Sequence, residues 1–148
     1  MKNLVFILAI ILWANNINYA QKLNPKDVPL QIANDFKGRF PEATGVKWQK
    51  EGKFLQAFFV NDGNKMVAEY DNNTWVKTKW IIPGNIAPTK IKEYVGKYYQ
   101  GYKIKEIFFV DTNYSERDYE VEISKNKKDI TRLIFDISCN FIRLDEQK

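Results

Sequence analysis

Glu120 and Glu122 alternate with Tyr119, Val121 and Ile123. On an extended strand that spacing puts both carboxylates on one face, as a general acid and base pair requires. The same spacing is also that of a solvated strand face, and nothing in the neighbouring sequence supplies a pocket or a perturbing partner, so the pair is read as solvated surface. Cys139 is the only cysteine, and the 148 residues contain no histidine. A thiol without an adjacent base is not activated. The lack of histidine removes Ser-His and Cys-His nucleophiles and most zinc sites. Asp62-Gly63-Asn64 and Asp71-Asn72-Asn73 offer oxygen ligands, but neither has the spacing of a calcium loop, and both have the composition of hairpin turns. No catalytic, cofactor or metal residue is assigned, and the chain reads as non-enzymatic.

Aromatic side chains suit binding better. Trp48, Phe54, Phe58, Trp75 and Trp80 are close together in sequence, and on neighbouring strands some of them would face away from a covering helix. An exposed aromatic patch marks a partner surface; the same residues are core if that face is covered. A one-residue slip in strand phase exchanges the two outcomes.

The elements that position these residues begin after residue 20. Lys2, the apolar run 4–13, the polar stretch 15–18 and a small residue at Ala20 have the form of a signal peptide over 1–20. The apolar run is half of what a membrane-spanning helix needs, about 20 residues. A mature chain from Gln21 keeps 22 basic and 18 acidic side chains, so the net charge falls from +5 to +4. The lysines are scattered; without a basic stripe or a known motif, no nucleic-acid partner is expected. A lone cysteine allows no internal disulfide, so packing must hold the fold.

Val28, Ile32, Phe36 and Phe40 fall four apart, and Ile91, Tyr94, Val95 and Tyr98 keep the same helical period. Each helix has a proline at its start, Pro29 and Pro88, and Asp27 is placed to cap the first. After each helix the period becomes two. Strands are expected at 46–50, 54–60, 65–70 and 75–79, and again at 103–110, 119–124, 130–135 and 141–144. Sliding the second set onto the first places Tyr119, Val121 and Ile123 over Leu55, Ala57 and Phe59, and Leu133 and Phe135 over Ala68 and Tyr70. These form the inward face. Phe54 and Phe58 then stand outward where the second half has Asp118 and Glu122. The expected fold is α+β: two tandem helix-plus-antiparallel-meander repeats, 28–82 and 86–145 within a domain 28–148, forming one sheet with the helices on one face. Residues 21–27 read as a short extension.

The order Val28-Pro29, Phe40-Pro41-Glu42-Ala43, Val46-Lys47-Trp48 and Glu69-Tyr70-Asp71, followed by Gly101-Tyr102-Lys103-Ile104-Lys105-Glu106-Ile107 and Tyr119-Glu120-Val121-Glu122, resembles the PepSY-like, beta-lactamase-inhibitor-protein-like (BLIP-like) domains exported by Gram-negative bacteria. The resemblance implies a single antiparallel sheet with helices on one face and a periplasmic or secreted location. Inhibition does not follow from a shared fold. The chain departs from the family at three loops: no Asp-Gly after Tyr70, a final hairpin 136–140 without glycine, and a polar loop at 111–117.

The sequence thus points to an exported binding protein of the cell envelope. Its expected partner is a protein or peptide, met through Phe54 and Phe58 first and through Trp48, Trp75 and Trp80. Two other readings stand beside it: a small-molecule or metal-responsive envelope sensor using a cleft between the repeats, and an inhibitor of an extracytoplasmic hydrolase.

Overall fold

A computed structural model describes residues 21–126 and 129–145. The expected signal peptide lies outside the described residues. The nine strands of the described residues join in one antiparallel sheet in sequence order, β1 to β9. β1 (Gln21–Leu23) pairs with β2 (Thr44–Glu51), so the stretch read as an extension is an edge strand followed by a 3-10 turn at Pro25–Asp27. Helix α1 (Leu30–Arg39) is followed by β2, β3 (Phe54–Asn61), β4 (Asn64–Asp71) and β5 (Thr74–Ile81). Helix α2 (Thr89–Tyr98) is followed by β6 (Lys103–Thr112), β7 (Arg117–Ser124), β8 (Ile130–Asp136) and β9 (Phe141–Asp145). The expected strands are all present and one or two residues longer at most ends.

Asp27 is not the helix cap. Pro29 holds that position with extended backbone angles and no side-chain bond, and Pro88 does the same for α2. The capping side chain is Asn24, whose Oδ1 accepts from the Lys26 N–H at the 3-10 turn. Proline at the cap needs no partner for its missing N–H.

Both helices lie on the same side of the sheet, each over its own core. Under α1, Ile32 and Phe36 pack with Trp48, Leu55, Ala57, Phe59, Ala68 and Tyr70. Under α2, Ile91 and Val95 pack with Ile107, Val121, Ile123, Leu133 and Phe135. The expected inward residues are therefore inward, Tyr119 packing at the margin of the second core. The two cores do not merge. Over the seam between β5 and β6 the helix side holds Trp80 and Phe109, which belong to neither.

The turns follow their residues. Asp62 and Gly63, and Asn72 and Asn73, all take positive φ, the pair of angles a two-residue type I′ hairpin requires. Asparagine therefore does the work of the missing Asp-Gly. In the last hairpin Cys139 adopts φ of 62°, standing where glycine is the usual occupant.

Candidate binding face

With Leu55, Ala57 and Phe59 under α1, the pleat sends Phe54, Gln56 and Phe58 to the opposite side. Among the described residues no helix lies over that side. It is nevertheless not flat. Adjacent strands are about 4.8 Å apart, so a flat sheet would separate β2 from β9 by about 34 Å. Yet Glu51 of β2 and Asp145 of β9 line one groove of about 420 Å³, with Phe54, Gln56, Lys77 and Arg132 between them. The sheet curls, and the uncovered side is its concave side.

A polar chain crosses the floor of this groove. Gln49 Nε2 donates to Gln56 Oε1 at 2.8 Å, and Gln56 Nε2 donates to Glu69 Oε1 at 3.3 Å. Lys79 Nζ lies 3.1 Å from Glu69 Oε1 and 2.9 Å from Glu120 Oε1, bridging β4 to β7. Lys77 Nζ approaches Glu69 and Glu120 at 3.6 and 3.5 Å. Arg132 Nε completes the set, donating to Glu122 at 2.9 Å and lying 3.5 Å from Glu120. Three carboxylates thus meet three cations. Glu69, Lys79 and Glu120 are only 4%, 7% and 2% exposed.

Burial opposes charge on these groups, and their partners outweigh it. For Glu120, burial raises the pKa, but Lys79, Lys77 and Arg132 hold the carboxyl below its usual range. For Lys79, burial lowers the pKa, but Glu120 and Glu69 hold it above the usual lysine value. Both stay ionised at neutral pH. Near the start of β6 (Lys103–Thr112), Glu106 goes the other way: burial and the nearby Glu122 push its carboxyl up, against Lys65 and Lys79.

Beside the ionic floor runs an apolar strip. Val67, Phe108, Val110 and Ile134 are buried on the concave side, partly by the stems of long polar residues. Lys79 Nζ sits 5.1 Å above the Phe108 ring, a cation–π contact. Phe58 pairs with Val67 and Lys47 across the sheet, and Phe54 lies under Lys53 Nζ at 4.9 Å. Both phenylalanines are half-buried.

The structure separates the five aromatic candidates. Phe54 and Phe58 are on the concave side as expected. Trp48 is not: it pairs with Ala57, and its ring meets Phe36 edge-on at 5.2 Å within the first core. Trp75 also lies on the helix side, because β5 carries a bulge. Glu69 faces Lys77 and Tyr70 faces Trp75, so Val76 is the extra residue and the alternation reverses across it. Trp80 faces Met66 and Phe109, again toward the helices. The reading of Glu120 as solvated is likewise corrected, since its neighbours are ion partners rather than water. Gln56, Glu69, Lys77, Lys79 and Arg132 were not singled out from the sequence. The available signal was that these residues take outward positions on strands adjacent in a meander.

Solved structures share this fold, among them three from Bacteroides species. A DUF2874 family protein from Bacteroides uniformis superposes with a TM-score of 0.64 at 19% identity, over 79% of this chain and 88% of that one. A BLIP-like protein from Bacteroides fragilis gives 0.61 at 19% identity, over 83% and 86%. A protein from Bacteroides eggerthii, provisionally placed in the periplasm, gives 0.63 at 15% identity, over 79% and 87%. Family models and curated proteins yield no match to this chain. The BLIP-like fold suggested by the sequence is the fold observed.

Proposed function

We propose that this is an exported, non-enzymatic binding protein of the cell envelope that receives another envelope protein or a peptide on its concave face. One observation carries the reading: a curled sheet face left open by both helices, whose buried charges Glu69, Lys79 and Glu120 are paired with one another within the protein. Such a floor has already met its desolvation cost in the free protein, so a partner meets a rigid surface rather than mobile charges. Phe54 and Phe58 flank it as aromatic contacts. The apparent signal peptide over 1–20 and the fold shared with a protein provisionally placed in the periplasm support the location. We read the two helix-plus-four-strand halves, 28–82 and 86–145, as repeats. The contact then falls where they differ, at Phe54 and Phe58 against Asp118 and Glu122.

Site-specific photo-crosslinking in the native envelope tests this. A photoreactive residue in place of Phe58 should give a discrete adduct that one in place of the exposed Leu30 on α1 does not. Phe54→Glu should remove the adduct while leaving the fold intact. Identical adducts from both positions, or an adduct indifferent to Phe54→Glu, would exclude this face.

A further inference from the structure

On the opposite side of the sheet, the gap between the helices forms a second groove of about 390 Å³. It arises because each helix covers its own core and neither reaches the β5/β6 seam. Phe40, Met66, Trp75, Trp80 and Phe109 line it. Trp80 and Phe109 meet edge to face, with centroids 6.5 Å apart. The size is that of a site for one small molecule.

Its polar groups are mostly donors. The Trp80 Nε1 is buried and has no hydrogen-bond partner among the described residues; a buried N–H left in that state costs about 1–3 kcal/mol. Thr78 Oγ accepts from Trp75 Nε1 at 3.0 Å, leaving its own hydrogen to donate. Arg39 is stacked 4.2 Å over Trp75, and its Nε is held by Asp35 at 2.7 Å. Its terminal nitrogens make no hydrogen bond to a described residue. Two carboxylates stand against these: Asp35, on the Arg39 Nε, and Asp111, already 3.6 Å from Arg117.

We infer that this groove binds a small aromatic carboxylate, its ring against Trp80 and Phe109 and its charged oxygens on Arg39. An aromatic ring matches edge-and-face walls, and acceptor oxygens match the surplus of donors. The site is separate from the concave face and does not depend on its function.

Titrating 15N-labelled protein with 3-phenylpropionate, and in parallel with the neutral 3-phenylpropanamide, tests the inference through the indole N–H signals. Those of Trp80 and Trp75 should shift saturably while that of core Trp48 stays in place. The carboxylate should bind roughly tenfold more tightly than the amide. Arg39→Gln should abolish that preference and Arg39→Lys should restore it; Phe109→Ala should weaken both ligands. The unmoved Trp48 signal reports that each variant is folded. No saturable shift through the millimolar range would overturn the site, as would equal shifts at Trp48, Trp75 and Trp80. Equal affinity for acid and amide in the unsubstituted protein would overturn the carboxylate assignment.

Discussion

Lys79 Nζ lies 2.9 Å from Glu120 Oε1 across the whole width of β6, on a sheet face that no helix of the described residues covers. The two residues are 41 positions apart, and they make the concave face a built surface instead of a merely exposed one.

Truncating one member should therefore be costly. Lys79→Met leaves Glu120 and Glu69 facing each other with less compensation, and about 3–5 kcal/mol of stability should be lost. Urea unfolding measures it. Lys79→Met combined with Glu120→Leu should cost less than the two single changes summed. A single-variant loss below about 1 kcal/mol would show that the ions are hydrated in solution.

The pH dependence has a definite sign. Glu120 is held below the usual carboxylate range, so its contribution is present above its unfolded value and lost as pH falls through the folded one. Lys79 is held above the usual lysine value, so its contribution is present below its unfolded value and lost as pH rises through the folded one. Urea midpoints should form a plateau between the two ranges and fall on either side. Glu120→Gln should flatten the acid limb; an unchanged limb would place the acid sensitivity elsewhere.

Leu133 is fully buried beneath α2, between Val121 and Leu144. Leu133→Ala should cost about 2–5 kcal/mol in urea unfolding, the range for a truncated core leucine. A loss under about half a kcal/mol would contradict its place in the core.

The hairpin at Asn72-Asn73 gives a stabilising counterpart. Asn73 is exposed with φ of 63°. Asn73→Gly should raise stability by about half a kcal/mol, since glycine takes this angle without strain. Asn73→Val should lower it by about 1–2 kcal/mol. Thermal midpoints of the pair should therefore move in opposite directions.

Alternation in Tyr119-Glu120-Val121-Glu122-Ile123 was enough to place every core side chain of β7, because a pleated strand offers only two faces and one was apolar. Turn chemistry was equally legible at Asp62-Gly63 and Asn72-Asn73. Trp75 escaped the same logic. One extra residue at Val76 reverses the alternation beyond it, and nothing local marks a bulge. Asp27 escaped for a different reason: the chain inserts a 3-10 turn before α1, and Asn24 caps that instead.

Local patterning, then, determined the two helices, the eight strands that follow them and the side of Leu55, Ala57 and Phe59, since these depend on periodicity within a few residues. It also determined that no histidine chemistry operates here, because composition alone settles that. Only the tertiary structure decided that the outward charges of β4, β5, β7 and β8 converge. Curling of the sheet brings Glu69, Lys79, Glu120 and Arg132 into one desolvated network, and curvature is a property of nine strands together. The groove beside Trp80 was decided in the same way: it exists because two short helices on one wide sheet leave the seam between them uncovered.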